Sequence, residues 1–367
     1  MSQKNQTVPS GNRIDEHTSR RPSGEPLLRA ENLHVSFPLE EGELQAVRGV
    51  SFELKPGKTL GLVGESGCGK SVTAQSVLRL LPASAHIAGS LRYLQESGEV
   101  VDLNTLERNG EAVRAIRGAE ITMIFQEPLT SFSPLYTIGN QIEEQILLHY
   151  TSDAAKARAR AIEMLERVGI PDAPQRIDAY PFELSGGMRQ RAMIAMALSA
   201  NPSLLIADEP TTALDVTIQA QVLDLMKDLQ RDFDTSILFI THDLGVVAEM
   251  CDEVAIMYLG KIVEFGTVDD IFTRPHHPYT IALLNSIPKL GQAGNEKIIP
   301  ISGSVPVPMG LAKICNFHER CPRARSGLCD SVEPPLTPIG PTQKVACFLY
   351  DEVIHAFESE VNDRSKY

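Results

Sequence analysis

The segment Gly64-Glu65-Ser66-Gly67-Cys68-Gly69-Lys70-Ser71 decides the fold of this chain. It follows the apolar residues 60–63, which predict a buried strand, and it precedes a segment of helical character. Small residues let successive backbone N–H groups curl around phosphate oxygens, Lys70 adds a positive charge, and the Ser71 hydroxyl can ligate magnesium. The segment therefore predicts a phosphate-binding loop for a nucleoside triphosphate; the flanking strand and helix disfavour the alternative of a chance glycine-rich turn.

The length and composition of the chain limit the class of protein. At 367 residues the chain is longer than one compact core usually needs, so we expect a principal domain and an appended unit. The net charge of -13 disfavours nucleic acid as a partner. No apolar run approaches the roughly twenty residues that cross a bilayer, and the first residues lack the apolar core of a signal peptide, so we expect a cytosolic chain.

The first half of the chain predicts an antiparallel sheet and an amphipathic helix. Residues 1–26 are polar and predict a disordered leader. Short alternating stretches at residues 30–37 and 49–54 predict an antiparallel sheet before the phosphate loop. Residues 154–168 carry apolar side chains at helical spacing, with a cap at residue 152 or 153, and predict a helix.

Continuous apolar runs in the second half predict a parallel sheet. Residues 204–207 and 236–241 are short and apolar throughout, as strands covered on both faces should be. They predict an α/β protein with helices on both sides of the sheet. Residues 253–258 and 261–265 predict a hairpin, and a second unit is expected to begin near residue 275.

Two adjacent acids follow the apolar run 204–207. Asp208 is expected to hold magnesium, and Glu209 to orient and polarise the attacking water, although a solvated acidic turn is the alternative for this pair alone. Upstream, residues 185–187 read Ser-Gly-Gly and open a helical run, a geometry that suits an anion. This tripeptide by itself is common in loops and carries little weight alone.

The order of these motifs resembles the ATP-binding-cassette (ABC) ATPases over residues 28 to about 270. The motifs are the phosphate loop, Gln126, LSGGMRQ at residues 184–190, Asp208-Glu209, Asp215 and His242. The resemblance implies a mixed core sheet, an antiparallel β subdomain and a helical subdomain over about residues 135–190, within an ATP-binding domain of residues 27–274. It also implies ATP and Mg²⁺ as ligands.

The resemblance assigns a role to each motif residue. Glu209, His242 and Gln126 are expected to be catalytic, with Gln126 linking magnesium and water to the transport machinery and His242 contacting the terminal phosphate. Phe37 is expected to stack on adenine, with an ordinary packed strand residue as the alternative. The magnesium ligands are expected to be Ser71, Gln126 and Asp208. The other nucleotide-binding residues are expected to be Gly64, Glu65, Ser66, Gly67, Cys68, Gly69, Lys70, Val72, Ser185, Gly186, Gly187 and Asp215.

The resemblance also implies partners. In this family the signature Ser185 and Gly187 bind the ATP of a facing subunit, and the chain has one set of motifs, so a second ABC ATPase is expected. The 58 residues between Gln126 and Ser185 are too few for a long coiled-coil arm. This favours a transporter motor, docked on two transmembrane permease subunits at the cytoplasmic face of the cell membrane and served by an external binding protein.

The C-terminal unit, residues 275–367, narrows the family. Residues 274–284 resemble the extension of oligopeptide and dipeptide importer ATPases. Cys315, Cys321, Cys329 and Cys347 follow, separated by five, seven and seventeen residues. Four thiolates suffice for zinc or an iron–sulfur cluster. The resemblance favours a four-iron four-sulfur cluster, with zinc second and free thiols or a disulfide behind.

The remaining two cysteines are expected to be packing residues, because unpaired cysteine behaves as a small buried hydrophobe. These are Cys68 in the phosphate loop and Cys251 in an apolar stretch. If exposed, Cys68 would be readily alkylated, since nearby Lys70 and the helix N-terminus would lower its pKa.

The leading hypothesis is the ATP-hydrolysing subunit of a peptide importer. A soluble ABC ATPase that acts on nucleic acid or ribosomes is the alternative, and the acidic balance and the short helical insert count against it. A metal-sensing regulator with a degenerate ATP site is the third, and the intact Lys70, Asp208, Glu209 and His242 argue against it. Peptides are the expected cargo, and nickel chelates, glutathione and sugars are the alternatives.

Overall fold

A computed structural model describes residues 24–126, 131–212, 214–287, 301 and 303–350. Most of the predicted leader and residues 351–367 of the predicted extension lie outside these ranges. The strands of the described residues are β1 (Leu28–Leu39), β2 (Gly42–Leu54), β3 (Thr59–Val63), β4 (His86–Leu94), β5 (Val100–Asp102), β6 (Ile121–Ile124), β7 (Leu204–Asp208), β8 (Ser236–Thr241), β9 (Glu253–Tyr258), β10 (Lys261–Thr267), β11 (Thr337–Pro338) and β12 (Lys344–Val345).

The helices alternate with these strands, as in an α/β protein. None of the described helices is both long and apolar enough to span a membrane. The α-helices of the described residues are α1 (Lys70–Val77), α2 (Glu111–Ile116), α3 (Ile138–His149), α4 (Ala154–Arg167), α5 (Ala173–Arg176), α6 (Gly186–Leu198), α7 (Val216–Phe233), α8 (Leu244–Met250), α9 (Val268–Thr273) and α10 (Pro278–Asn285).

The described strands form two sheets. The antiparallel sheet has the order β2-β1-β4-β5, and β1 pairs with β2 from Leu28 opposite Leu54 to Leu39 opposite Gly42. The second sheet has the order β11-β12-β10-β9-β3-β8-β7-β6. Its strands β9, β3, β8, β7 and β6 run parallel, and β10 and β12 join antiparallel, so the predicted mixed core sheet is confirmed.

The core strands are covered on both faces. Every residue of β3, β7 and β8 is buried. Because successive side chains of a strand point to opposite faces, Leu205 and Phe239 enter one apolar cluster, whereas Ile206 and Leu238 enter another. The continuous apolar runs of the sequence therefore became central strands, as their composition predicts.

Helices α3, α4 and α6 form the helical subdomain, which packs its apolar faces together. Ile142 and Ile146 of α3, Leu165 of α4 and Ile194 of α6 share one core cluster. Helix α4 begins where the sequence predicts, because the Asp153 carboxylate accepts hydrogen bonds from the backbone N–H groups of residues 155 and 156, at 2.9 and 3.2 Å.

The C-terminal segment continues the core sheet. Strand β12 pairs with β10 through Val345 opposite Glu264 and Lys344 opposite Phe265. The Glu264 carboxylate is fully buried at this junction and accepts backbone hydrogen bonds from His276 (2.7 Å) and His277 (2.9 Å). Burial raises the pKa of Glu264, and these hydrogen bonds oppose that rise. The extension is thus joined to the sheet that carries the phosphate loop.

Candidate ATP site

The phosphate loop leaves β3 and turns into α1. Gly69 has φ 100, and a Cβ at this position would lie 2.2 Å from the Ala46 carbonyl oxygen, so the tight approach requires glycine. Lys70 is buried, and its Nζ donates to the carbonyl oxygens of Gly64 (2.8 Å) and Glu65 (3.1 Å). The ammonium group therefore lies across the loop, where it can exchange these oxygens for phosphate oxygens.

Ser71 and Asp208 form a pair of adjacent oxygen ligands. The Ser71 hydroxyl donates to Asp208 Oδ1 at 3.0 Å. Burial raises the pKa of Asp208, and the hydrogen bond from Ser71 opposes this rise. A hydroxyl and a carboxylate at this distance fit Mg²⁺, which prefers hard oxygen ligands and would compensate the buried charge.

Glu209 is the residue on which the other polar groups converge. Its Oε2 accepts from Gln126 Nε2 (3.1 Å) and from the Thr212 hydroxyl (2.9 Å), and its Oε1 lies 3.1 Å from His242 Nδ1. Burial would raise the pKa of Glu209, but the hydrogen bonds to His242 and Thr212 outweigh it and lower the pKa. Glu209 is therefore an ionised acceptor at neutral pH.

The parallel sheet explains this convergence. Gln126, Glu209 and His242 follow β6, β7 and β8, whose carboxyl ends meet at one edge of the sheet beside the phosphate loop. Glu209 also has φ 48, a left-handed conformation that turns its side chain sharply after the strand. The side chain of His242 stays largely exposed, at 61%. The structure thus brings together the three residues that the sequence analysis named as catalytic.

The signature segment forms a second surface. Ser185 caps α6 by accepting from the Met188 N–H at 3.3 Å, and both Ser185 and Gly186 are exposed. Asp215 caps α7 and is also exposed. A Cβ at Gly187 would lie 3.1 Å from a methyl carbon of Ile218 in α7, so the two helix N-termini lie side by side.

Two residues that are predicted to contact the nucleotide, Phe37 and Cys68, pack against the protein core. Phe37 is half-buried and packs against the apolar cluster beneath the antiparallel sheet; its contact with adenine stays a prediction. Cys68 is 1% exposed, and burial raises its pKa, which confirms it as a packing residue. Cys68 is therefore not exposed in the way that rapid alkylation would require.

The four cysteines of the extension lie around one small cavity. Cys315, Cys321, Cys329 and Cys347 line it together with apolar side chains that include Phe317 and Phe348. Burial raises the pKa of Cys315 and of Cys347 to about 11. All four thiols are free, so the disulfide alternative is wrong for this structure. Within the described ranges, no group of three or more His, Cys, Asp or Glu side chains is arranged to hold a metal ion.

Sequence reasoning missed three residues that touch the site. Thr212 hydrogen bonds to Glu209, and Tyr279 and Arg320 hydrogen bond to Glu65 of the phosphate loop. A hydroxyl three residues after Glu209 is a local signal that was available in the sequence. Tyr279 and Arg320 lie 214 and 255 residues from Glu65, and no local pattern connects them.

Comparison with known proteins agrees with this geometry. A family model described as "ABC transporter" matches residues 47–212, and one described as "Oligopeptide/dipeptide transporter, C-terminal region" matches residues 263–329. The chain is 49% identical over 328 residues to the dipeptide transport ATP-binding protein DppD of Bacillus subtilis, covering 89% of this chain and 96% of DppD. It is 49% identical over 323 residues to the oligopeptide transport ATP-binding protein OppD of the same organism, covering 88% of each chain.

A solved structure supports the fold. The dimeric structure of a post-hydrolysis state of the ATP-binding cassette MJ0796, bound to ADP and Pi, matches with a TM-score of 0.58 and 25% identity. The match covers 66% of this chain and 98% of that one. The fold, the phosphate loop and the match to known relatives together define an ABC ATPase, the ATP-hydrolysing subunit of a transporter. Within that class, the chain belongs to the oligopeptide/dipeptide transporter family of ATP-binding subunits.

Proposed function

We propose that this chain drives peptide uptake as one of two ABC ATPases bound to two permease subunits at the cytoplasmic face of the cell membrane, with an extracytoplasmic binding protein delivering the cargo. The observation that carries the proposal is the convergence of Gln126, Thr212 and His242 on Glu209, beside the Ser71–Asp208 pair. The printed names of DppD and OppD support dipeptides and oligopeptides as the cargo.

The hydrolysis step follows from the charges of the site. Glu209, kept ionised by its hydrogen bonds, accepts a proton from the attacking water and directs the water oxygen at the terminal phosphorus. The bond from that phosphorus to the bridging oxygen breaks, and ADP leaves. Lys70 neutralises charge on the oxygens of the transferred phosphoryl group, and His242 contacts the terminal phosphate. Ser71, Asp208 and Gln126 would hold Mg²⁺, which supplies further charge compensation.

The exposed signature surface supports a pair of ATPases. Ser185 and Gly186 begin the 13-residue helix α6 at the surface. Asp215 and Val216, at the start of α7, lie exposed beside them, with Val216 at 84% exposure. A helix N-terminus with free N–H groups suits the phosphates of a nucleotide held by a facing chain. ATP then closes the pair, and loss of the terminal phosphate opens it.

An exposed apolar patch supports docking on a membrane partner. Leu135 and Phe182 are 80% and 66% exposed, and Tyr136 and Tyr180 are exposed as well. The Ile138 N–H donates to the carbonyl oxygen of residue 179 at 2.9 Å, which brings the two segments side by side. Large apolar side chains gathered at a surface mark an interaction site.

For the four cysteines, a four-iron four-sulfur cluster is the proposed ligand, with zinc as the alternative. Soft thiols around an apolar cavity are the donor set that such a cluster requires. The preference for the cluster over zinc rests on the resemblance of the extension to that of peptide-importer ATPases. Anaerobically isolated protein should be brown and contain iron and sulfide; a colourless protein that contains zinc would decide for the alternative.

Substitution of Glu209 tests the catalytic assignment. Glu209→Gln keeps the hydrogen-bonding shape but cannot accept a proton, so we expect ATP hydrolysis to fall on the order of 10²–10⁴-fold, with ATP binding retained. ATP should also trap the variant as a closed pair, measured by size-exclusion chromatography. Glu249→Gln, a surface carboxylate paired with Lys227, is the matched control. Unchanged hydrolysis in Glu209→Gln would refute the role of Glu209.

The cargo is tested separately, in vesicles that contain the chain with its permease subunits and binding protein. Peptides should stimulate ATP hydrolysis and enter the vesicles. Stimulation by a nickel chelate, by glutathione or by a sugar instead would assign that cargo and leave the ATPase role intact.

A further inference from the structure

The C-terminal extension contacts the phosphate loop directly, through the side chain of Glu65. Arg320 donates from Nη1 to Glu65 Oε2 at 2.8 Å and from Nη2 to Oε1 at 3.0 Å. This is a two-point pairing of guanidinium and carboxylate, the geometry that gives Arg its strongest and most directional ion pairs. The Arg320 side chain is 6% exposed and that of Glu65 is 26% exposed, so solvent screens the pair only in part.

The backbone of the same loop residue is also held by the extension. The Glu65 N–H donates to the Tyr279 hydroxyl at 2.9 Å. Its carbonyl oxygen accepts from Lys70, the residue that is expected to meet the outer phosphates. Two residues from beyond the hairpin β9–β10 therefore fix the main chain and the side chain of one residue of the phosphate loop.

Arg320 is itself held in place by aromatic side chains. Its guanidinium lies over the rings of Tyr258 and Phe317, at 5.7 and 5.9 Å from their centroids. Nη1 also lies 3.3 Å from the Tyr258 hydroxyl. The rings of Tyr258, Tyr279 and Phe317 pack against one another at centroid distances of 4.7 to 5.4 Å. The fork of Arg320 is thus oriented before any nucleotide arrives.

We propose that Arg320 is a positioning residue for ATP binding, which acts through Glu65. A carboxylate inside a phosphate loop repels the triphosphate, and Arg320 neutralises this carboxylate and holds it beside the extension. The inference rests on the assignment of residues 64–71 as the ATP loop. It makes the affinity for ATP depend on a residue of the C-terminal extension.

The test measures the Kd for ATP and the KM and kcat of hydrolysis in the full chain. Arg320→Met removes the charge and keeps most of the volume, and we expect the Kd and KM for ATP to rise about tenfold while kcat at saturating ATP changes less than about twofold. Adding Glu65→Gln to Arg320→Met should restore most of the affinity, because the repelling charge is then gone. A merely structural role of Arg320 would not predict this rescue.

Lys261→Met is the matched control. Lys261 Nζ pairs with Glu333 Oε2 at 2.7 Å, so it also ties the extension to the core sheet, but it does not touch the phosphate loop. We expect an unchanged Kd in this control. Arg320→Lys keeps the charge and loses the fork, and its Kd should rise by less than that of Arg320→Met.

Two results overturn the inference. One is an unchanged Kd for ATP in Arg320→Met. If thermal unfolding shows that Arg320→Met is not folded, an unchanged Kd in Arg320→Lys takes its place. The other is a double variant that binds ATP no better than Arg320→Met alone. Failure of the proposed ATP site itself would look different, because the unmodified chain would then bind no ATP.

Discussion

The ATP site and the four-cysteine cavity differ in what holds their residues in place. Gln126, Asp208, Glu209 and His242 come at or just after the ends of β6, β7 and β8, whose positions are set by the hydrogen bonds of a buried parallel sheet. The cysteines lie in residues 303–350, where the described regular structure is limited to the two-residue strands β11 and β12 and single 3₁₀ turns. The residues of the first site are therefore placed by a hydrogen-bonded sheet, whereas those of the second are placed mainly by irregular segments.

Removal of the Lys70 charge is expected to have the largest effect on ATP binding, and it tests the first half of this comparison. Lys70→Met should weaken ATP binding on the order of 100-fold, because the charged contact with the outer phosphates is lost, while the metal content of the extension stays unchanged. Isothermal titration with ATP and metal analysis measure both. Lys58→Met is the control, since Lys58 pairs with Asp252 at the surface. A loss of metal in Lys70→Met would show that the two sites do not form independently.

The same difference explains how much the sequence predicts. Residues 204–207 and 236–241 are apolar throughout, so their strands and the acids that follow them can be read from local pattern. Arg320 and Tyr279 lie far from Glu65 in the sequence and meet it only through the packing of the extension against the phosphate loop. Such contacts depend on tertiary packing, which no periodicity of the local sequence records.

The four thiols give the second test. Cys347→Ser removes one of the four proposed ligands, so we expect loss of the cluster or zinc and a melting temperature lower by roughly 5 °C, because metal binding contributes directly to folding. Metal analysis and thermal unfolding measure both changes. Cys251→Ser, at a thiol outside the cavity, should keep its full metal content. Full metal content in Cys347→Ser would remove Cys347 from the ligand set.

Alkylation sharpens the same test in the unmodified chain. With metal bound, none of the six cysteines should react quickly at neutral pH; after metal removal, the four thiols of the extension should react first. Cys68 should stay protected, because it is buried, whereas each of the four thiols of the extension is only partly buried. Mass spectrometry identifies the modified residues. Early modification of Cys68 would mean that the phosphate loop opens more readily than its buried contacts predict.

The smallest expected effect concerns the charge of Glu209. In the folded chain burial raises the pKa of this carboxyl, and hydrogen bonds from His242 and Thr212 lower it below its usual value. Thr212→Val removes one of these hydrogen bonds. The effect of burial is then less strongly opposed, so the pKa of Glu209 rises. The base is then protonated at a higher pH, and the acid limb of the kcat profile should move to higher pH, with little change of kcat at neutral pH.

The pH profile of ATP hydrolysis measures this shift, with Thr217→Val as the control, because Thr217 is an exposed threonine at the start of α7. An unmoved limb in Thr212→Val would mean that the Thr212 hydrogen bond does not set the pKa of Glu209. A limb that moves in Thr212→Val but not in Thr217→Val means that groups of the protein set the charge of the catalytic base. The charge of Glu209 would then be set by groups of the protein, whereas Cys315 and Cys347, whose pKa values burial raises to about 11, would need a bound metal to become thiolates at neutral pH.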